Sequence, residues 1–402
     1  MIKSVEIKNF KAIERAKVKL TPLTAFIGYN GTGKSSMLEA LETYRTIIIE
    51  GLNSGMLPFR GYEHIYYKGK KKEKWFEKDG IKFKYAPIEF SLNLSLRGFT
   101  RQLFNAEIST SIAKELTGNQ NIYFLNESYW GQSREQEIDD SNRTSKTDES
   151  ELRTPDSKNF TLKYASNISM GPYQPDKSMI GNISLIRDNI DEWQFLSMNT
   201  FLMGLPLSQK RTGGKIKLNK DGSNIAEYVL SIRDISPEIF ESIIETIQYI
   251  LPYAKDIQPE ITSELERMVY MQLSEQDFKV PGWLLSTGTL KVLALLSVFR
   301  NPNPAPLIAI EEIENGLDPR TINLIINEIR EFVKDKKSQV IITTHSPYLL
   351  DLLHLSQVVF VERKDGNVVF NRPYDFEQLR TWSKDYTPGE MYRKDLIQQI
   401  IK

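Results

Sequence analysis

Short apolar runs without alternation are the clearest pattern along this chain. They cover residues 23–27, 306–310 and 340–344, and each is followed at once by glycine or polar residues. Runs of this length predict buried parallel strands. Residues 1–8 and 83–96 instead alternate apolar and polar positions, which predicts half-buried strands, antiparallel in the second case. The pattern therefore predicts an α/β fold in which a parallel core is combined with antiparallel strands.

Apolar residues at helical spacing predict helices in three places. The first helix runs from about Lys34 to Ile49, and the second covers residues 292–299. The third runs to Leu251, with Ser236 as its N-cap and Pro237 as its first residue. No segment sustains a heptad pattern over several turns. We therefore predict no long coiled coil.

The first apolar run leads directly into a glycine-rich loop, residues 28–35, with the sequence GYNGTGKS. All its fixed positions match G-x-x-x-x-G-K-[ST], in the strand, loop and helix context that this motif requires. Its glycines let successive N–H groups approach phosphate oxygens. Lys34 is placed to reach the β- and γ-phosphates, and the Ser35 hydroxyl to bind Mg²⁺, at the positive end of a helix. A chance glycine turn explains this context poorly, so we predict nucleoside triphosphate binding.

Polar residues also follow the other two apolar runs. Glu311 and Glu312 follow the second run, and His345 follows the third. Ligands of doubly wound sheets bind at the carboxyl ends of strands, which favours a site over a solvated strand end. The remaining histidines, His64 and His354, have no such position, so we interpret them as structural.

Ser286 and Gly288 stand at the start of the apolar stretch that ends at Phe299. Read alone, Ser286 or Thr287 is a helix N-cap, which is the ordinary role of these residue types. The order of this segment relative to the other three motifs suggests a second role.

That order resembles the ATP-binding-cassette class of P-loop ATPases, and within it the structural-maintenance-of-chromosomes and RecF-like branch. The segments that carry the resemblance are residues 7–13, 28–35, 285–291, 311–312, 315–319 and 344–347. They look like the opening strand and NFK turn, Walker A, a divergent signature motif, Walker B, the D-loop and the switch histidine. The chain is similar above all to prokaryotic stand-alone AAA-family ATPases of the OLD type, many of them encoded in phage-defence operons. Their pattern also includes residues 221–226 and 388–392.

The resemblance, which covers roughly residues 1–60 and 180–402, implies ATP and Mg²⁺ as cofactors. It implies that Glu312, His345 and Lys34 are catalytic and that Ser35 and Glu311 bind the metal. The residues expected to bind the nucleotide are Asn30, Gly31, Thr32, Gly33, Lys34, Ser35, Ser36, Ser286 and Gly288. In this class the signature residues complete the site of the opposite subunit, so a homodimer or higher homo-oligomer is expected.

Three departures from the class pattern stand out. Glu311 occupies a metal-binding position that is usually aspartate, and a longer carboxylate can still reach Mg²⁺, often through water. Ile313 stands where many members have proline. The signature reads Ser-Thr-Gly-Thr instead of the transporter form, which argues against a transporter motor. No segment is assigned as a glutamine loop.

The expected architecture is an ABC-type P-loop ATPase head with a β-rich lateral insertion subdomain. The head is discontinuous, with residues 1–60 and 270–402, and the insertion covers residues 61–269. Within the insertion, residues 131–159 are rich in serine, charged residues and asparagine and have few apolar residues. Such a composition cannot bury much surface, so a mobile loop is expected there.

Composition excludes several classes of protein. The chain of 402 residues has no cysteine, which rules out disulfides, thiol catalysis and cysteine-based zinc sites. Its 52 basic and 52 acidic residues give a formal net charge of +0, so any nucleic-acid contact needs a local patch. No stretch is apolar enough to span a bilayer. We expect a cytoplasmic protein with no membrane partner.

The resemblance implies an ATP-hydrolysing head that dimerises around nucleotide and acts as a sensor or scaffold for a separate effector. That effector is expected to be a nuclease or a toxin-like enzyme, in antiviral defence. The alternative is an ATPase of DNA repair or recombination that clamps DNA directly, and a third class is a scaffold that binds nucleotide without hydrolysing it.

Two segments bear on DNA chemistry. Residues 68–76 form the densest basic run, which can track phosphates but is more often a solvated hairpin tip. Residues 361–366 weakly resemble the acidic strand that opens a TOPRIM nuclease domain. About forty further residues cannot hold a separate domain of typical size, and a hairpin with a turn at Asp365 and Gly366 explains the same residues.

Overall fold

The structure is a computed structural model of the whole chain. It describes residues 1–69, 75–78, 80–97, 103–116, 121–133, 158–162, 177–209, 216–263, 266–275, 278–334 and 338–401. The chain forms two compact units. Unit 1 consists of Met1–Thr21, Gly28–Trp193 and Phe360–Asn371, and unit 2 of Pro22–Ile27, Gln194–Val359 and Arg372–Lys402.

The strands of the described residues are numbered in chain order. They are β1 Ile2–Phe10, β2 Ile13–Lys19, β3 Leu23–Ile27, β4 Phe76–Lys78, β5 Ile81–Phe83, β6 Ile88–Arg97, β7 Leu103–Lys114, β8 Ile122–Ser133, β9 Lys158–Leu162, β10 Gln194–Leu196, β11 Leu207–Ser208, β12 Ala254–Ile261, β13 Met268–Glu275, β14 Phe278–Pro281, β15 Leu307–Ile310, β16 Gln339–Thr344, β17 Val358–Lys364 and β18 Asn367–Asn371.

The α-helices are numbered in the same way. They are α1 Lys34–Glu50, α2 Leu52–Met56, α3 Tyr62–Ile65, α4 Lys177–Asp191, α5 Thr200–Gly204, α6 Ile225–Ile235, α7 Pro237–Ile250, α8 Thr287–Phe299, α9 Pro319–Val333, α10 Pro347–Asp351, α11 Glu377–Trp382, α12 Pro388–Arg393 and α13 Leu396–Ile401. The three helices expected from apolar spacing are thus confirmed as α1, α7 and α8. Ser236 is the N-cap residue of α7, although its side chain makes no capping hydrogen bond.

Unit 1 is built on one antiparallel sheet with the strand order β2-β1-β6-β7-β8-β9. Strand β1 lies between β2 and β6, and Val5 is paired with Val18 on one side and Leu92 on the other. All three side chains are buried, as the alternating pattern predicts for one face of a strand. The strands beyond residue 83 therefore extend the sheet that the amino-terminal strand begins.

Helix α1 packs its buried face on this sheet. Tyr44, which is fully buried, has its ring 5.3 Å from the ring of Phe90. Its hydroxyl lies 3.4 Å from the Thr110 hydroxyl, so the polar end of the buried ring is satisfied. On the other side, Arg45 donates to the Asp191 carboxylate at 2.8 Å and so joins α1 to α4.

Strands β17 and β18 form an antiparallel hairpin whose last paired residues are Lys364 and Asn367. The two turn residues have positive φ angles, 52° at Asp365 and 86° at Gly366. Two such residues are what a tight two-residue hairpin turn requires. The hairpin interpretation of this segment is confirmed.

Unit 2 contains the parallel strands, in the order β10-β15-β16-β3. Ile342 is paired with Ile310 on one side and with Ala25 on the other, and Thr344 with Ile27. Every residue of β3, β15 and β16 is buried, which is why these strands are rich in apolar residues and do not alternate between apolar and polar positions. The expected buried parallel strands are confirmed.

Helices of unit 2 differ in how they are buried. Helix α8 is buried continuously from Thr289 to Phe299, as an apolar helix inside a unit must be. Helix α9 is amphipathic, and its buried stripe consists of Thr321, Ile322, Ile325, Ile326, Ile329 and Val333. A smaller antiparallel sheet with the order β11-β13-β12, to which β14 pairs through β13, lies in the same unit. It contacts α6 and α7.

The predicted division into head and insertion stays a prediction. The compact units follow different boundaries, because residues 61–193 belong with the amino-terminal strands and residues 194–269 with the parallel strands. Most of the expected mobile loop, residues 134–157, lies outside the described residues, and the ends of the predicted segment belong to β8 and β9. Within the described part of the chain, no helix combines the length and apolarity needed to cross a bilayer.

Candidate functional site

The loop of residues 28–35 follows β3 in the sequence and ends in α1. Gly33 is the N-cap residue of α1, with a left-handed backbone at φ 102°. Gly31 also has a positive φ, 75°. Conformations of this kind are costly for residues with a side chain, so the loop geometry explains why glycine stands at these two positions.

Close packing adds a second reason for two of the glycines. A Cβ atom on Gly28 would lie 2.1 Å from the backbone oxygen of Val361, and one on Gly33 would lie 2.9 Å from the Val368 side chain. Both contacts are shorter than van der Waals distance, so the β17–β18 hairpin supports the loop from one side. A Cβ on Gly31 would meet nothing within 4 Å. The loop thus has a packed side and, at Gly31, an open side.

Lys34 is 7 % exposed and folds back over the loop. Its ammonium donates to the carbonyl oxygens of Gly28 at 2.7 Å and Tyr29 at 3.0 Å. Thr32 donates its hydroxyl to the same Tyr29 oxygen at 2.8 Å. Ser35 is exposed. The cation and the free hydroxyl therefore stand together at the N-terminus of a helix of 17 residues, where anions bind favourably.

These residues fit a phosphate chain with a bound Mg²⁺. The loop offers backbone N–H groups, one buried ammonium and one exposed hydroxyl, without a carboxylate in residues 28–36 that would repel an anion. Among the described residues, no group of three or more His, Cys, Asp or Glu side chains could hold a metal by itself. Protein usually supplies one or two ligands to Mg²⁺, with phosphates and water as the rest, and the exposed Ser35 hydroxyl could supply one of them.

Glu311 and Glu312 follow β15, but their environments differ. Glu311 is partly buried and Glu312 is exposed. Glu312 has φ 46°, a left-handed conformation that is rare for a non-glycine residue. Its N–H donates to the Thr343 hydroxyl at 2.9 Å, and its carboxylate accepts from the Asn315 amide. A strained residue held by such contacts is typical of functional sites.

Lys291, which the sequence analysis did not single out, also holds this turn. It is 4 % exposed, and its ammonium donates to the carbonyl oxygens of Glu312 and Asn315, both at 2.9 Å. Burial lowers the pKa of Lys291 to about 8, and the charges of Glu314 and Glu312 partly oppose this. A signal was available in the sequence, since Lys291 interrupts an otherwise apolar helix.

Glu314 is a second residue that the sequence analysis did not assign. It is 8 % exposed, and one carboxylate oxygen accepts the backbone N–H of His345 at 2.8 Å. The same oxygen lies 3.3 Å from Nδ1 of the His345 ring. The histidine side chain itself is 47 % exposed. Glu314 thus joins the residues that follow β15 to those that follow β16.

Ser286 and Gly288 lie at the start of α8. The Ser286 side chain accepts from the backbone N–H of Thr289 at 3.1 Å, so the ordinary capping role is confirmed. A Cβ on Gly288 would lie 2.8 Å from the backbone oxygen of Gly316. The predicted signature segment and the predicted D-loop are therefore in direct contact within unit 2.

A cavity of about 280 Å³ opens beside this contact. It is lined from α8 by Ser286 and Gly288 and from the turn before α9 by Gly316 and Asp318, among others. Asp318 caps α9 by accepting the N–H groups of Arg320 and Thr321. Hydrogen bonds from Thr321 lower the pKa of the Asp318 carboxyl. Ser286 remains exposed, so the capping hydrogen bond does not bury the serine.

The segment of residues 388–392 packs against the helix that follows His345. Helix α12 contacts α10, and a Cβ on Gly389 would lie 2.1 Å from the backbone oxygen of Pro347. Thr387 caps α12 with Glu390 in a reciprocal pair of hydrogen bonds, and Thr387 also donates to Asp351. Residues 388–392 therefore help to hold α10, the helix that follows His345, in place.

Several predicted residues stay apart from these groups. His354 caps a short 3₁₀ turn, which confirms its structural interpretation, and the exposed His64 lies in α3. In the basic run at 68–76, residues 70–74 lie outside the described residues. Lys34 and Ser35 belong to unit 1, while Glu311, Glu312, His345, Ser286 and Gly288 belong to unit 2. Their action on one nucleotide is part of the proposal below.

Comparisons with known proteins place the chain in a family. The model of the family described as "AAA domain, putative AbiEii toxin, Type IV TA system" matches residues 23–351. An ATP/GTP phosphatase of Helicobacter pylori is 23% identical over 404 residues, with 94% of this chain and 97% of that protein covered. An OLD nuclease of Thermus scotoductus is 36% identical over 58 residues, which are 14% of this chain and 11% of the nuclease.

The same fold occurs among solved structures. The crystal structure of an SMC head bound to the C-winged helix domain of ScpA has a TM-score of 0.51 and 16% sequence identity. It covers 92% of this chain and 97% of the solved one. Because the family model matches most of the chain, the chain belongs to the AAA-domain family named above, and it is a P-loop ATPase with the fold of an SMC head.

Proposed function

We propose that this ATPase is a nucleotide-dependent switch, in which two copies associate around bound ATP and separate after hydrolysis. The observation that carries the proposal is the start of α8, where Ser286 is exposed and Gly288 lies against the turn that contains Gly316. A phosphate-binding loop alone needs no such second motif. A signature segment that remains exposed is what a second subunit requires in order to complete the site.

The residues divide the work of phosphoryl transfer, which consists mostly of positioning and charge stabilisation. Lys34 and the loop N–H groups hold the phosphates, and Ser35 and Glu311 hold the metal. Bound Mg²⁺ neutralises charge on the phosphate oxygens. Glu312 orients the attacking water or accepts its proton, and His345 lies next to the γ-phosphate.

The geometry around Glu312 supports its role. A general base must stand in one place while remaining accessible to water. The side chain is exposed, whereas its backbone is held by Thr343 and Lys291. Glu311 is partly buried at the end of β15, as suits a carboxylate that supports a metal through one oxygen or through water.

The biological output of the switch is proposed from the family resemblance. We infer a separate effector protein, a nuclease or a toxin-like enzyme, in antiviral defence. The name of the matching family includes a putative toxin of a toxin–antitoxin system, and the local match to an OLD nuclease concerns 11% of that protein. Co-purification with the product of a neighbouring gene tests this part. Hydrolysis that DNA stimulates in a salt-sensitive manner would instead favour a DNA clamp.

The decisive experiment compares the molar mass of the Glu312→Gln variant with and without Mg·ATP by light scattering. Phosphate release by the native protein is assayed alongside. We expect the mass to double only with ATP, because the variant binds nucleotide but cannot complete hydrolysis. If the mass does not depend on ATP and the native protein shows negligible turnover, the switch proposal is wrong. That result would favour a permanent scaffold that binds nucleotide without hydrolysing it.

A matched control separates dimerisation from nucleotide binding. Ser286→Ala in the Glu312→Gln background leaves the phosphate loop intact. We expect it to bind ATP, measured with a fluorescent ATP analogue, and to remain at the mass of the nucleotide-free form. If it still doubles its mass with ATP, Ser286 takes no part in the association.

A further inference from the structure

Arg363 lies on the β17–β18 hairpin, which packs against the phosphate loop of residues 28–35. The close approaches at Gly28 and Gly33 involve this hairpin. Between these two glycines, Arg363 makes a polar contact, because its Nε donates to the backbone oxygen of Gly31 at 3.0 Å. The hairpin residues 360–371 and the loop belong to the same compact unit. The hairpin therefore brings a cation to the middle of the loop.

The direction of the Arg363 side chain follows from the register of the hairpin. Arg363 is paired with Val368, and directly paired residues of two strands project from the same face of a sheet. Val368 projects toward the loop, since a Cβ on Gly33 would lie 2.9 Å from its side chain. Glu362 alternates to the opposite face, where it accepts from the Asn371 amide at 3.2 Å. Arg363 thus faces the loop, and the acid beside it in the sequence does not.

The hydrogen bond to Gly31 uses only one part of the Arg363 guanidinium. Within the described part of the chain, the Nη1 and Nη2 groups have no hydrogen-bond or ion-pair partner. The residue is exposed, so these groups are open to a ligand. A guanidinium that is held through Nε presents its other N–H donors in one plane, which is the geometry that binds two oxygens of a phosphate.

Lys34 has a comparable arrangement on the same loop. Its ammonium donates to the backbone oxygens of Gly28 and Tyr29, so both cations have loop carbonyl oxygens as partners. Residues 28–36 contain no carboxylate that would compete for either charge. An exposed arginine near the end of a strand is ordinarily solvated. Solvation alone does not explain why this one is bonded to the loop that matches a phosphate-binding motif.

We propose that Arg363 is a further nucleotide-binding residue, whose Nη1 and Nη2 groups bind phosphate oxygens of the nucleotide at the phosphate loop. The proposal rests on the nucleotide binding that the proposed function assigns to this loop, and it does not require two copies to associate. Arg363 would supply a second cation beside Lys34. The hydrogen bond from its Nε to Gly31 would keep the guanidinium in place.

Arg363→Gln separates phosphate binding from support of the loop. The glutamine Nε2 is bonded to Cδ, as the arginine Nε is, so it can keep the hydrogen bond to Gly31. The charge and the two terminal amino groups are lost. We expect the dissociation constant of a fluorescent ATP analogue, measured with Mg²⁺, to rise by about 10-fold or more. Binding at the native level overturns the proposal and leaves Arg363 as a support of the loop.

Inorganic tripolyphosphate shows which part of the nucleotide Arg363 binds. This probe has neither base nor sugar, and its inhibition constant is measured by displacement of the fluorescent analogue. We expect Arg363→Gln to raise this constant by the same factor as the dissociation constant of the analogue. If only the binding of the analogue weakens, Arg363 contacts the base or the sugar, and the proposal is wrong.

Lys364→Gln is the matched control, because it removes the same charge from the neighbouring exposed residue. The side chain of Lys364 alternates to the other face of the strand, so we expect a dissociation constant within about twofold of the native one. An equal loss in Lys364→Gln and Arg363→Gln would indicate a general effect of charge and contradict the proposal.

A further variant covers the case in which Arg363→Gln does not fold. Arg363→Lys keeps the charge but lacks the planar pair of amino groups, so it should bind the analogue more weakly than the native protein, and equal binding contradicts the proposal. Failure of the proposed function looks different. In that case the native protein itself does not bind the analogue, whereas equal binding by the native protein and Arg363→Gln contradicts only the role of Arg363.

Discussion

The ammonium of Lys291 donates to the backbone oxygen of Glu312 at 2.9 Å, across 21 residues of sequence. A second hydrogen bond, to the oxygen of Asn315, has the same length. A cation inside an apolar helix thus holds the turn that carries the proposed catalytic carboxylate. This links the segment at the start of α8 to the residues that follow β15.

Lys291→Met should test that link, because methionine keeps the length of the apolar stem but removes the donor. The two carbonyl oxygens lose their charged partner, so we expect the free energy of unfolding to fall by about 1–3 kcal/mol. We also expect kcat to fall, since Glu312 is no longer braced. Denaturant unfolding and phosphate release measure the two effects. Lys279→Met is the control at an exposed lysine, and equal stability of both variants would refute the bracing role.

The lowered pKa of Lys291 predicts a pH dependence of stability. Burial moves this pKa from 10.5 to about 8. Between these values the folded protein loses the proton while the unfolded chain keeps it, so the unfolded state binds more protons and the free energy of unfolding rises with pH. Below about pH 8 both states are protonated and this contribution is constant. The full rise corresponds to about 3.4 kcal/mol.

The measurement is the difference in unfolding free energy between the native protein and Lys291→Met from about pH 7 to about pH 9.5. Other groups cancel in the difference. Tyr228 is one of these groups. Burial raises its pKa to about 12, so at higher pH its contribution lowers the free energy of unfolding as the pH rises. A difference that stays flat or falls across this range would show that Lys291 titrates as an exposed lysine does.

The left-handed backbone of Glu312 predicts an unusual order of stability. At φ 46° a residue with a Cβ is strained, and glycine is not. We expect Glu312→Gly to be more stable than Glu312→Ala by about 1 kcal/mol, while both variants lose turnover. The same pair of substitutions at Glu311, which has no positive φ, should show the reverse order. Thermal unfolding of the four variants decides the point.

Gly288→Ala should disturb the contact between the start of α8 and the following turn. The added Cβ would lie 2.8 Å from the backbone oxygen of Gly316, so the turn must shift at a cost of about 1–3 kcal/mol. We expect weaker ATP-dependent association in the Glu312→Gln background, measured by light scattering. Lys279→Ala, at an exposed residue outside the signature segment, should leave both the association and the stability unchanged.

The sequence was sufficient for features that depend on local patterns. The short apolar runs form buried strands. The glycine-rich loop matches a motif that requires positive φ angles, and Gly31 and Gly33 adopt them. The roles of Lys291 and Glu314 were missed, because each depends on partners 21 to 31 residues away. The sheet of unit 1 was missed for the same reason, since four strands and three α-helices of the described residues separate β1 from its partner β6 in the sequence.

Lys34 has a further consequence for the way in which nucleotide binding is studied. Its ammonium is satisfied by the carbonyl oxygens of Gly28 and Tyr29, so any phosphate must compete with the loop for the same charge. The measured affinity therefore reflects the free energy of exchanging these carbonyl oxygens for phosphate oxygens as partners of Lys34. Replacing Lys34 by alanine, the customary way to abolish binding, also removes two charged hydrogen bonds from the ligand-free protein. The Lys34→Ala variant is therefore not a neutral control. Its free energy of unfolding should be measured together with its nucleotide binding.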